Sequence, residues 1–226
     1  KEVATKKVAT KKAAPAKPVA PAKPAAPDLR SDERVGLLGG AFNPVHIGHL
    51  NSALIVKEAL DLNRVVFVPA LNPPHREING PLPELRLEMI KRATQTYSPD
   101  LGWDDIELKR GGHSYTYDTL VEYNKTFKPD NLFFIMGADA FAGFDKWHKA
   151  SELLKLANFV VTTRPGHEFD FELDRLPDAV KAQVEDINSD RILLKGGRAI
   201  EFVTLQDINV SSSEIRKKLR MGHDVK

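Results

Sequence analysis

From Val35 onward the chain alternates short, mainly apolar runs with segments in which apolar residues recur every three or four positions. The runs at 35–38, 64–69, 132–136 and 158–163 are too short for core helices, and they predict buried strands. Leu50, Ala53, Leu54 and Leu60 set a helical period over about 49–60, and Leu85, Met89, Ile90 and Ala93 set another over about 84–96. Further along, the pattern predicts a strand near 104–108, a helix after Thr116, a helix around 151–157, and two late strands at 192–194 and 201–205. A last helix starts at Ser211, whose spacing to Glu214 is that of a capping box. The acidic stretch 168–190 is weakly patterned and reads as a peripheral helix and loops. Strands alternating with helices predict an α/β fold in a single domain, a parallel sheet with helices on both faces.

Sheets of that kind bind ligands at the carboxyl ends of their strands, beside the point where the strand order reverses. Residues with chemistry cluster there: Gly39-Gly40 after the first strand, Asn72-Pro73-Pro74-His75-Arg76 after the second, Gly137-Ala138-Asp139, Thr163-Arg164-Pro165-Gly166, and Ser211-Ser212-Ser213-Glu214-Ile215-Arg216. Five loops on one rim predict one large pocket. In the first loop, His46 and His49 stand three apart at a helix start, where free N–H groups and the helix dipole favour an anion, and Gly48 leaves room for close approach. A metal site ranks below a phosphate site, because no third His or acidic ligand is near and the chain has no cysteine.

Three of the other candidates keep two readings. Capping explains one hydroxyl of Ser211-Ser212-Ser213; a second phosphate socket, with Arg216 one turn in, explains all three. Asp139 suits a ribose hydroxyl or a helix cap, Trp147 a stacked base or the core, and Thr116 an N-cap. His75 and Arg76, in a Pro-rich loop, read as anion contacts.

Composition adds a boundary. Residues 1–27 hold seven Lys and one Glu, a charge of +6, which leaves 26 basic and 30 acidic residues, −4, for the remainder. This Lys/Ala/Pro-rich stretch has nothing to bury, so residues 1–34 are expected to be a disordered tail and residues 35–226 the folded domain. The tail reads first as a solubilising extension, and second as a non-specific attractor of nucleic acid, without aromatics for stacking. The apolar runs are too short to span a bilayer, no secretory signal is evident, and the absence of cysteine suits a cytoplasmic protein. The first residue is Lys, and the chain is expected to be a partial one.

Taken together, Gly39 to His49, Asn72 to Arg76, Glu107-Leu108-Lys109-Arg110, Ser114-Tyr115-Thr116, Gly137 to Asp139, Trp147, Thr163 to Gly166 and Ser211 to Arg216 make the chain resemble the bacterial nicotinate-nucleotide adenylyltransferases, nucleotidyltransferases with a Rossmann-like fold. The resemblance, over about 34–221, implies joining of nicotinate mononucleotide to the AMP part of ATP, with Mg2+ carried by the nucleotide phosphates and pyrophosphate released. It implies His46, His49 and Arg216 as catalytic residues. Gly39, Gly40, Phe42, Gly48, Gly137, Asp139, Ser212 and Ser213 would bind ATP, and His75, Arg76, Thr116, Trp147 and Arg164 would bind the acceptor. Three positions depart from the commonest pattern: Ala41 where Thr is frequent, Asn43 where Asp is frequent, and His148 where an aromatic is frequent. Such proteins usually continue beyond the last motif, so the C-terminal end is expected to be incomplete. A class I aminoacyl-tRNA synthetase fragment shares the histidine signature, but this chain has no Lys-Met-Ser-Lys-Ser-like loop. Sister adenylyltransferases acting on pantetheine phosphate or nicotinamide mononucleotide are a second alternative, and a nucleic-acid-binding protein working through the tail is a third.

Overall fold

The computed structural model describes residues 30–74, 77–163, 173–188, 190–206, 208 and 210–225. His75, Arg76 and Arg164, three of the expected acceptor contacts, lie outside the described residues, as do residues 1–29.

Eight strands form one sheet in the order β3-β2-β1-β4-β5-β8-β7-β6. They are β1 (Val35–Gly40), β2 (Arg64–Pro69), β3 (Leu101–Trp103), β4 (Leu132–Gly137), β5 (Asn158–Thr163), β6 (Val184–Ile187), β7 (Arg191–Leu194) and β8 (Ala199–Thr204). The six strands from β3 to β8 in that order run parallel. β7 and β6 add an antiparallel edge: the two late strands expected from the pattern are β7 and β8, and β6 is a further strand inside the stretch 168–190 that was expected to hold only a helix and loops.

Alternation along each central strand divides the core between the two faces of the sheet. On one face Val65, Phe67, Phe133, Ile135 and Val160 meet α1 (Ile47–Ala59) through Leu50, Ala53 and Val56, and α2 (Pro83–Thr94) through Leu87 and Ile90. On the other, Val66, Val68, Phe134, Met136, Phe159 and Val161 pack with further helices: α4 (Thr116–Tyr123), α5 (Ala138–Ala142), α6 (Ala150–Leu156) and α7 (Asp178–Lys181). Strands buried on both faces read as continuous apolar runs, which is why these were the most visible elements in the sequence.

Two further expectations need correction. The strand expected near 104–108 is instead β3 at Leu101–Trp103 followed by α3 (Ile106–Arg110). Asp104 ends the strand: its Oδ1 accepts the Ile106 N–H at 2.9 Å, a side-chain turn that diverts the backbone into a helix. At the other end of the chain order, residues 30–34, expected in the tail, are held on the domain. Glu33 is 4% exposed and pairs with Arg64 at 2.9 Å, while the Arg34 N–H donates to Asn63 Oδ1 at 2.7 Å.

Candidate active site

β1 leads to β2 on one side of it and pairs with β4 on the other, so the strand order reverses between β1 and β4. A cavity of about 1120 Å³ opens over that point. Gly39, Gly40, His46, Gly48, His49, Thr116, Gly137, Asp139, Trp147 and Ser212 all line it, which brings together loops 173 residues apart in sequence.

His46 is the N-cap of α1 and His49 its third residue. Their rings lie 3.8 Å apart, centroid to centroid, and the His46 main-chain N–H donates to His49 Nδ1 at 3.2 Å. With Nδ1 accepting, the proton of a neutral His49 sits on Nε2 and is available as a donor. Burial, and after it the neighbouring His46, pushes the His49 pKa down to about 3; burial lowers His46 as well. The pair is therefore neutral near pH 7. A Cβ on Gly48 would come within 3.0 Å of His46 Nδ1 and 3.2 Å of Val210, so the glycine permits the tight histidine packing itself. Phe42, expected among the ATP contacts, is 3% exposed and does not line the cavity; its ring stands edge-on to His49 at 5.1 Å and packs on Phe67. Its φ of 45° is a left-handed conformation costing about 1–3 kcal/mol, which the packing of that ring offsets.

The last helix, α8 (Ser212–Arg220), starts where the capping box placed it, with Ser211 Oγ accepting the Glu214 N–H at 3.2 Å. Ser212 and Arg216 spend donors on the turn before α1: Ser212 Oγ donates to the Pro44 carbonyl at 2.8 Å, and Arg216 to the Asn43 carbonyl at 2.5 Å. Arg216 also donates to Ser213 Oγ at 3.1 Å, and neither of these two side chains lines the cavity. The two helix starts are thus laced together at one corner of the cavity, a contact between distant residues that the sequence does not reveal.

Across the cavity Gly137, not Asp139, is the N-cap of α5, and the Asp139 carboxylate is exposed to the cavity. A Cβ on Gly137 would meet nothing within 4 Å, so the backbone there is open to a ligand. Trp147 is half-buried: its ring rests on Phe134 and Phe144 at 5.9 and 5.6 Å and also borders the cavity, which combines the core and stacking readings. Tyr115 is the N-cap of α4 and Thr116 its first residue, correcting the N-cap reading of Thr116. His148 stacks on Tyr115 at 4.5 Å and meets Tyr117 edge-on at 5.9 Å, so the imidazole packs as an aromatic ring.

Two buried charges have no role assigned from the sequence: Arg86 carries no signal there, and Glu107 enters only within the motif Glu107-Leu108-Lys109-Arg110. Arg86, 1% exposed on α2, donates to the Ala41 carbonyl at 2.6 Å and the Ala70 carbonyl at 2.7 Å, joining the loops after β1 and β2. Glu107, 7% exposed on α3, lines the cavity and accepts the Thr119 hydroxyl at 2.7 Å. Its spacing to Arg110, one helical turn away, was the available signal. Among the described residues no three His, Asp or Glu side chains converge on a metal-sized space, and no helix is long and apolar enough to cross a membrane.

Comparison with known proteins places this architecture. The family model described as cytidylyltransferase-like matches residues 37–218. A protein of Pseudomonas syringae pv. tomato described as "Probable nicotinate-nucleotide adenylyltransferase" is 41% identical over 196 residues, covering 85% of this chain and 86% of that one. One of Trichlorobacter lovleyi with the same description is 35% identical over 194 residues, 85% of this chain and 91% of that one. The solved structure of Plasmodium falciparum nicotinic acid mononucleotide adenylyltransferase complexed with NaAD superposes with a TM-score of 0.59 at 16% identity, over 85% of this chain and 87% of that one, a likeness of fold. On the family match and on relatives 35–41% identical over most of both chains, this chain belongs to the cytidylyltransferase-like family and, within it, to the nicotinate-nucleotide adenylyltransferases.

Proposed function

We propose that this chain transfers the AMP part of ATP to nicotinate mononucleotide, giving deamido-NAD and pyrophosphate. The observation that carries the reading is that one cavity over the strand reversal is lined by a neutral histidine pair at a helix start and by Trp147 and Thr116. The acceptor's 5′-phosphate oxygen attacks the α-phosphorus of ATP, the bond from that phosphorus to the β-bridging oxygen breaks, and pyrophosphate leaves with the electron pair. The attacking phosphate is already ionised near pH 7, so the reaction needs no general base. It needs two polyanions held in line, and orientation alone is worth up to about 7–11 kcal/mol of barrier.

In this reading His49, through Nε2–H, and His46 donate to the α-phosphate region as charge builds there. The free main-chain N–H groups of Ser212 and Ser213 at the start of α8 take the outer phosphates, Arg216 turns toward them from its bonds to Asn43 and Ser213, and Asp139 accepts from the ribose. Gly39, Gly40, Gly48 and Gly137 let the backbone approach the nucleotide. Trp147 stacks on the nicotinate ring, while Thr116 and the first N–H groups of α4 face its carboxylate. His75, Arg76 and Arg164 complete the acceptor side. A magnesium ion carried by the triphosphate would supply further charge neutralisation there.

The test is pyrophosphate release from MgATP with nicotinate mononucleotide or nicotinamide mononucleotide as acceptor. A charge-assisted hydrogen bond to the carboxylate is worth about 1.5–3 kcal/mol, so kcat/KM should favour the acid by roughly 10- to 100-fold. Equal use of both removes carboxylate recognition from the Thr116 wall, and no turnover with either overturns the assignment.

A further inference from the structure

The loop between β2 and α2, residues 70–82, meets the segment between β1 and α1 at its start, past its end and once in between. At the start the Ala70 N–H donates to the Gly40 carbonyl at 2.8 Å, and past the end Arg86 donates to the Ala41 carbonyl at 2.6 Å. Between these points the loop borders the large cavity at Pro73 and Pro74 and comes back at Asn79, whose carbonyl accepts from Asn43 Nδ2 at 3.0 Å. The outgoing and returning arms do not fill the space between them: Pro73 and Asn79 border a second, smaller cavity of about 370 Å³. The returning arm therefore depends on the tie to Asn43.

A carbonyl can only accept, so the bond to Asn79 requires an N–H at position 43. Asn43 is 8% exposed, and its Oδ1 is buried with no hydrogen-bond partner among the described residues, so the donor is what a polar side chain gains by standing there. Gly80 packs on the same amide at a φ of 152°, where a Cβ would come within 2.7 Å of Asn43 Nδ2 and 2.8 Å of Oδ1. The main-chain carbonyl of Asn43 meanwhile receives Arg216. We propose that Asn43 is a positioning residue for the acceptor nucleotide: its amide N–H holds the returning arm on the turn that starts the histidine helix, and so sets the loop whose Pro73 and Pro74 border the cavity. Asn43 does not line the cavity; it acts through Asn79. The identity of the acceptor rests on the function proposed above, whereas the loop contact does not.

Asn43→Asp keeps the size of the side chain and the carbonyl that Arg216 uses, but turns an oxygen instead of an N–H toward Asn79. Gly80→Ala attacks the same contact from the loop, because its Cβ displaces the Asn43 amide. Both variants, in the full chain, are compared with wild type by steady-state kinetics with each substrate varied, by amide NMR resonances and by thermal melting. Each should raise KM for nicotinate mononucleotide about tenfold, the worth of one hydrogen bond, with KM for ATP and kcat within about twofold of wild type. In Asn43→Asp the resonances of Ile78, Asn79 and Gly80 should move while those of Ser212 to Arg216 hold, and in Gly80→Ala the Asn43 side-chain amide should move. The double variant should be no worse than the poorer single one, because both break one contact. An unchanged acceptor KM in both variants, equal rises in KM for both substrates, unmoved resonances at Ile78, Asn79 and Gly80, or additive effects would each overturn the proposal. If Asn43→Asp melts below the assay temperature, Gly80→Ala decides by its KM values and by the Asn43 amide resonance. If the wild-type protein turns over no nicotinate mononucleotide, the proposed function fails, and the resonances still decide whether Asn43 holds the loop.

Discussion

An imidazole whose Nδ1 already accepts a main-chain N–H has one proton left to offer, and at His49 that proton is on Nε2. Asparagine mimics the Nδ1 side of histidine, so His49→Asn keeps an acceptor for the His46 N–H while removing the Nε2 donor. Its kcat should fall about 10²- to 10³-fold with the acceptor KM nearly unchanged, the loss typical of one donor that acts on developing charge. A kcat equal to wild type would take His49 out of the transition state. The same variant separates stability from chemistry. His49 titrates at about 3 in the folded chain, against 6.5 for a free histidine, so between those values the unfolded chain binds the extra proton. Stability from this residue is complete above pH 6.5 and is lost as pH falls toward 3. Thermal melts at pH 7.5 and 5 should show a smaller drop for His49→Asn than for wild type. The histidine pair was legible in the sequence because its spacing and its helix start are local facts. The bonds from Ser212 and Arg216 to the carbonyls of Pro44 and Asn43 were not, because they join residues on opposite ends of the chain.

At the scale of elements, the mouth of the cavity depends on how the loops after β1 and β2 are spaced, and Arg86 of α2 bridges them with its planar fork. Burial lowers the Arg86 pKa, but a guanidinium keeps its proton in proteins, so both carbonyls receive charge-assisted bonds. Arg86→Met leaves two buried carbonyls without that donor and should cost about 3 kcal/mol or more, read as a lower urea midpoint at unchanged slope. Arg86→Lys, a single ammonium in place of a fork, should recover only part of it, and a midpoint equal to wild type for Arg86→Met would show that the loops do not depend on the bridge. Nothing local announced this role: an Arg followed by Leu87 and separated by three residues from Ile90 looks like the polar face of an amphipathic helix. The same limit explains the other differences. The strands β1, β2, β4 and β5 are buried on both faces and stood out as apolar runs, whereas α3 was taken for a strand because Ile106 and Leu108 alternate with polar residues. The five-residue helix α5 and the edge strand β6 are too short to show a period at all.

For the whole molecule, the doubly wound sheet gathers candidate residues from the described parts of several loops at one cavity, and the charge of the chain is divided unevenly around that arrangement. The part from residue 28 onward carries −4 and binds, in the function proposed, two polyanions through a few fixed donors and not through a basic surface. Residues 1–27 carry +6 and contain none of the site residues. Attraction for long polyanions should therefore reside in this segment, while catalysis should not need it. Deleting residues 1–27 is expected to leave kcat and both KM values within about twofold of the full chain, less than the loss of one hydrogen bond would produce. Single-stranded RNA retention should behave oppositely. In the full chain log affinity should fall with log salt at a slope no steeper than about −5, the limit if all seven lysines neutralise phosphates at −0.7 each, and in the deleted chain retention at 50 mM salt should vanish. Retention that survives the deletion would place a polyanion surface on the folded part in spite of its net negative charge, and a large fall in kcat would mean that the basic segment reaches the site and helps hold the nucleotides.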